Sequence, residues 1–356
     1  MTSRERVLKA LNNQKTDRVP MGFSSTPEAI NNLKEYLNVK NKEEVFEKLN
    51  IDIRRVAPRY IGPKNLIYNH DLDKEGKDIF GVVWRFKSNN YGKYPEIVYS
   101  PLANIEHVEQ LEECQWPQLE WFDFNNVWKQ IEKVNQKNEY CINFFGGNIF
   151  ETSWYMRGFE QTLVDLIINP ELVICLMEKI CDFYISFSEE IVKHTRDKID
   201  IVCTGDDIGT QRGLLISLDL FRKFIKPLHK KMNNIFHKHG LKVRYHSCGN
   251  ITDAIEDLIE AGVDILNPLQ FSASGMLTPL EIKKKFGKQL SFQGGIDIQH
   301  TLVEKSVKQV KNEVENILNI LGENGGYILE TTHNLQGDIP PENILSMYNT
   351  GANYKR

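Results

Sequence analysis

The chain has 356 residues, 41% hydrophobic and 26% charged, enough apolar side chain to bury a sizeable core and too much for global disorder. Its 44 basic and 48 acidic side chains leave a net charge of -4, a near balance that gives no footprint for a nucleic-acid duplex. No run approaches about 18 apolar residues, so no membrane span is expected. Met1–Leu11 reads as the start of an amphipathic helix with no leader core, and the cytoplasm is the expected location.

Apolar segments at Val19–Phe23, Asp52–Ala57, Cys141–Phe145, Ile201–Thr204, Leu241–Tyr245, Val263–Leu266, Gln289–Phe292 and Tyr327–Leu329 read as strands. Residues at Pro170–Arg196, Leu218–His239, Thr252–Ala261 and Leu302–Leu321 place apolar side chains at helical spacing. Strands alternating with helices imply parallel pairing, because each crossover must cover the sheet. Eight such strands predict an α/β chain with a closed (β/α)8 TIM barrel. An open doubly wound sheet is the alternative, but no GxGxxG follows an early strand. Residues 62–140, rich in aromatics, Asn and Lys, interrupt the alternation and predict an insertion, a hairpin and helices near the barrel mouth. With no internal repeat or long linker, residues 1–356 are expected to form one domain.

Six cysteines, Cys114, Cys141, Cys175, Cys181, Cys203 and Cys248, are widely scattered, and five sit in apolar settings suited to small buried thiols. Cys248 differs. It ends His246-Ser247-Cys248, directly after the strand pattern Leu241–Tyr245, where two soft ligands two residues apart suit zinc. His333 follows another such run. A structural zinc site closes with four protein ligands, whereas a catalytic one keeps a position open, so His246, Cys248 and His333 from distant loops point to chemistry. The alternative is a buried Cys248 with a hydrogen-bonded His246, and His333 as an acid–base or hydrogen-bonding histidine without metal.

Carboxylates and amides follow the other strand patterns. Asp206 and Asp207 can relay protons or support a metal, although adjacent side chains diverge and one can cap a turn. Glu151, beyond the third strand, can face substrate. Asp297, after Gly294-Gly295, can bind a polar group together with Gln293 or cap the next helix. Asn267 and Gln270 occupy the equivalent place after the sixth strand. Trp154, Tyr155 and Phe159 read as packing.

The segments Thr16-Asp17-Arg18-Val19-Pro20, Gly205-Asp206-Asp207, His246-Ser247-Cys248-Gly249-Asn250, Gly262-Val263-Asp264, Phe292-Gln293-Gly294-Gly295-Ile296-Asp297 and Pro340-Pro341-Glu342-Asn343 make the chain similar to the uroporphyrinogen decarboxylase superfamily over nearly its whole length. The resemblance implies a (β/α)8 barrel and one of two activities. One is metal-free decarboxylation of the acetate arms of uroporphyrinogen III. The other is zinc-dependent methyl transfer between a corrinoid protein and a thiol or folate acceptor. Decarboxylases carry an early Arg-Gln-Ala-Gly-Arg stretch, where this chain reads Met21-Gly22-Phe23-Ser24-Ser25-Thr26-Pro27. The methyltransferase pattern of His-x-Cys and a distant Cys falls on His246, Cys248 and His333, and decarboxylases also place a histidine at the last position. The methyltransferase branch is therefore favoured, with zinc as cofactor and tetrahydrofolate as one possible acceptor. The chain contains no Asp-x-His-x-x-Gly stretch, so the corrinoid is expected on a separate partner protein. Decarboxylation around Asp52, Arg54, Arg55 and Arg59 is the second reading, and a non-enzymatic corrinoid-binding role the third.

Overall fold

The computed structural model describes every residue except 70–71, 90–91 and 355–356, so four residues of the expected insertion lie outside the described residues. Among the described residues, seven strands form one curled parallel sheet: β1 (Ile53–Arg55), β2 (Cys141–Gly147), β3 (Ile201–Gly205), β4 (Lys242–His246), β5 (Ile265–Asn267), β6 (Ser291–Ile296) and β7 (Tyr327–Thr331). They neighbour one another in sequence order, and helices flank the sheet as in a TIM barrel.

The expected eighth strand at Val19–Phe23 is not formed, and the sheet is not closed into an eight-stranded barrel. Only Met21 makes a bridge, to Leu329 of β7. Pro20 has no N–H to give a ladder, and the N–H of Met21 is taken by the Asp52 carboxylate at 2.9 Å. The segment still links the two sheet edges, because Met21 accepts from the Asp52 backbone at 2.9 Å while Gly22 donates to Leu329 at 3.0 Å.

Helix Ser3–Leu11 explains why the site lies at one end of the sheet. Thr2 and Glu5 form a capping box that satisfies the first turn. The buried face of the helix puts Val7 and Leu11 against inward residues Ile53, Cys141, Ile201, Cys203, Ile265 and Ile328, forming an apolar plug. The strand C-termini lie above it. Two expected helices are broken for local reasons. Pro227 cannot donate to the carbonyl four residues earlier, and a π turn at Phe221–Ile225 separates Leu218–Leu220 from Lys226–Lys238. Ser306 starts a new capping box, so Thr301–Glu304 stops before Val307–Leu321.

The stretch after β1 holds an antiparallel three-stranded sheet, Gly76–Lys77, Val83–Asn89 and Gly92–Tyr99, followed by helix Asn125–Val134. Asp78 ties its turn together, accepting from Phe80 N at 2.9 Å, Val82 N at 3.0 Å and Trp84 Nε1 at 2.7 Å. No helix among the described residues is long and apolar enough to cross a membrane.

Asp52 is fully buried and joins three parts of the chain. It accepts from Arg6 at 2.6 Å, from both terminal nitrogens of Arg18 at 2.7 and 2.9 Å, and from the Met21 backbone. Removing one partner of a buried ionic network strands the others. Asp52→Ala is therefore expected to cost about 3–5 kcal/mol, read as a lowered urea midpoint. The rim substitution Glu260→Ala is expected to cost about 1 kcal/mol or less in the same measurement.

Candidate metal centre and cavity

Three neighbouring strands assemble the centre. Gly205, His246 and Asn267 stand in one register across β3, β4 and β5. A side chain at Gly205 would meet the His246 carbonyl at 2.4 Å, so the close approach requires glycine. Along β4 the pleat sends Tyr245 outward against His229 of helix Lys226–Lys238, while Arg244 and His246 line the cavity inside the curl. After Cys248 the chain turns at Gly249, whose φ of +78° and approach to the Thr210 carbonyl exclude a side chain.

The imidazole of His246 is oriented by Asn267. The Asn267 amide donates to the Gln293 carbonyl at 3.1 Å and presents Oδ1 to His246 Nδ1 at 2.8 Å. This makes Nδ1 the donor and leaves the Nε2 lone pair free to accept. Nε2 lies 3.4 Å from Cys248 Sγ and 3.9 Å from Asp207 Oδ1. Asp207 Oδ1 also accepts from the Cys248 backbone at 2.8 Å. Ligand atoms of Asp207, His246 and Cys248 all lie within 4.8 Å of one another. Burial, then the charge of Asp207, pushes the Cys248 thiol well above its ordinary range. A metal binding there would displace the thiol proton. Imidazole nitrogen, sulfur and carboxylate oxygen are a donor set that zinc accepts, and three ligands leave one position open.

His333 is not part of this close group; Asp207 takes the third place. His333 lies beside it, and the loss of solvent around its ring, then the charge of His246, lowers its pKa. The adjacent Asp pair divides. Asp206 is fully buried, accepting from His229 Nε2 at 2.6 Å and from the Glu151 backbone at 2.8 Å, so it anchors the wall and does not face the cavity. Asp297 is occupied as a cap, accepting from His300 N at 2.6 Å and Thr301 N at 3.3 Å. Gln293 donates to buried Glu330. Gln270 accepts from Gly249 N at 3.1 Å and pairs with Gln211. Asn267, Gln270 and Gln293 thus support the site from behind.

A cavity of ≈ 280 Å³ adjoins the cluster through His246. Glu151, Asn148 and Tyr155 line one side, and Asp78, Phe80 and Trp84 of the inserted sheet line another. Glu151 accepts from Asn148 at 3.1 Å and from Tyr155 at 2.8 Å. Tyr155, read from sequence as packing, is thus a polar wall residue; its i, i+4 spacing from Glu151 on helix Phe150–Arg157 was the available signal. Arg244 was also missed, although it stands two residues before His246 on one strand face. Of the basic residues near β1, Arg55 lines the cavity, whereas Arg54 is engaged by Glu43 and Arg59 by Asp123. With Asp52 buried in its own network, the expected Asp–Arg cluster for gripping a tetrapyrrole is not assembled.

Residues 2–354 match the family described as uroporphyrinogen decarboxylase (URO-D). The chain belongs to the URO-D family. Curated relatives of this family member fall under both kinds of name. A methylcobamide:CoM methyltransferase, MtbA, from Methanosarcina mazei is 19% identical over 268 residues, covering 75% of this chain and 76% of its own. A uroporphyrinogen decarboxylase from Vesicomyosocius okutanii is 23% identical over 255 residues, covering 69% and 68%. The solved structure of a methyltransferase from Methanosarcina mazei superimposes with a TM-score of 0.72 over 99% of this chain and 98% of that one, at 15% identity. That likeness establishes a shared fold.

Burial, followed by the charges of Asp207 and Asp206, raises Glu151 to about 8. An unfolded glutamate loses its proton near 4.5. Between those values the folded chain holds a proton that the unfolded chain has released, so this group makes stability fall as pH rises from about 4.5 to about 8. Glu151→Gln is expected to remove that slope in the metal-free protein. Urea unfolding of both proteins at several pH values checks it; a wild-type minus variant difference independent of pH would refute the assignment.

Proposed function

We propose that the chain is a zinc-dependent methyltransferase, moving a methyl group between a separate corrinoid protein and a folate or thiol acceptor. The observation that carries this reading is the Asp207–His246–Cys248 cluster, with His246 oriented by Asn267 and opening onto the cavity. The methyltransferase relatives and the missing Arg-Gln-Ala-Gly-Arg stretch support it.

His246 and Cys248 would hold zinc, with Asp207 or His333 as the third protein ligand. Zinc supplies a Lewis acid that lowers the pKa of a thiol acceptor. The protein's own residues do the remaining work. Asn267 fixes which imidazole nitrogen faces the cluster, and Gln270 holds the turn that carries Cys248. Glu151 when ionised can take the proton that a thiol acceptor loses as it is methylated. When protonated, below about 8, it can return a proton to the thiolate or folate amine that leaves in the reverse direction, with Asn148 and Tyr155 holding its carboxyl. Asp206 is a positioning residue, tying the Glu151 backbone to His229. Asp297 positions the following helix in the same indirect way. The cavity accommodates the acceptor, and the corrinoid must approach from outside on its partner.

Protein prepared anaerobically with zinc is expected to hold about one ion per chain. Cys248→Ser should abolish tight binding, and Asn267→Ala should weaken it by about 10–100-fold. Comparing Asp207→Asn with His333→Ala identifies the third ligand, the one whose loss releases zinc. Methyl transfer from methylcobalamin to thiol or tetrahydrofolate should depend on Cys248. Absence of zinc after reconstitution, or robust conversion of uroporphyrinogen III to coproporphyrinogen, would overturn the proposal.

A further inference from the structure

Arg244 is an exception among the inward-lying arginines. Arg6, Arg54 and Arg157 each meet a carboxylate, at 2.6, 2.6 and 2.8 Å. The Arg244 side chain has no hydrogen bond or ion pair among the described residues, and its Nε is buried without a partner. It stands in register with Cys203 and Ile265, both part of the apolar plug, so its stem rises from the floor of the cavity. The acids lining that cavity are engaged elsewhere: Glu151 by Asn148 and Tyr155, Asp78 by Trp84 and the backbone.

A guanidinium is a fixed cation whose donor fork suits an oxyanion. Left unpaired on an apolar floor it costs stability, and a ligand anion would satisfy it. His246 lies two residues further along the same strand face, about 6–7 Å away at the strand rise.

We propose that Arg244 anchors an oxyanion on the small-molecule substrate, setting specificity for a compact anionic molecule whose reacting atom lies at the His246 end. This rests on the cavity being the substrate site of the proposed methyltransferase, but not on which metal the cluster holds. Arg55 lines the same cavity.

The probes are 3-mercaptopropionate and its uncharged counterpart 3-mercapto-1-propanol. Binding is measured by calorimetry on zinc-loaded protein and by ligand-observed NMR on metal-stripped protein. Wild type is expected to favour the carboxylate by about ten-fold or more. Arg244→Gln should erase the preference, and Arg244→Lys should keep part of it. Because Arg244 has no hydrogen-bond or ion-pair partner to lose among the described residues, the thermal midpoint of Arg244→Gln should match or exceed that of wild type. Equal binding of the two probes to wild type, a preference surviving in Arg244→Gln, or a clear fall in that variant's midpoint would overturn the anchor. Failure to bind zinc, with the carboxylate preference kept in metal-stripped protein, would instead sink the metal reading alone.

Discussion

Gly205, His246 and Asn267 lie side by side in three neighbouring parallel strands, and the site depends on that register. Parallel pairing brings the three strand ends to one level. The missing side chain at Gly205 admits the His246 backbone, and Asn267 meets the ring from the other side. A slip of one residue would turn His246 outward and bring Tyr245 into the lumen, because side chains alternate along a strand. The Asn267 hydrogen bond then converts a correctly placed imidazole into one with a defined lone pair.

Electrostatics around this row sort acids by what they touch. Asp206 and Asp207 are adjacent, yet one is buried against His229 and the other faces His246 and Cys248. Asp206 is effective because it is fully occupied: one oxygen holds His229 and the other holds the start of the helix that carries Glu151. The Glu151 carboxyl is half-buried beside both aspartates, which favours its neutral form. The same chain segment thus contains an anchor, a candidate ligand and the cause of a neighbour's shifted proton affinity.

The inserted sheet supplies what the parallel strands cannot. Strand C-termini give an open rim, and the sheet carrying Asp78, Phe80 and Trp84 forms an outer wall on it. The apolar plug of helix Ser3–Leu11 forms the opposite boundary. Between these limits the cavity mixes aromatic surface with a few directed polar groups, the composition expected of a small-molecule site.

By itself the sequence determined the parallel α/β plan, because apolar runs alternating with helical patterns have few other ways to bury both faces of a sheet. Seven of the eight expected strands formed, and His246 and Cys248 were legible as a pair since i, i+2 spacing at a strand end is a local property. The eighth strand failed at Pro20 and at the Asp52 carboxylate, a contact made across 31 residues. Only the tertiary structure decided that Asp207, and not His333, joins His246 and Cys248 in one mutually close group, because that depends on how distant strand ends are packed together. It likewise decided that Asp297 caps a helix, that Asn267 orients the imidazole, and that Arg244 faces the cavity with no ion-pair partner among the described residues. Each of those facts is a pairing between distant segments, set by register and packing that no local pattern encodes.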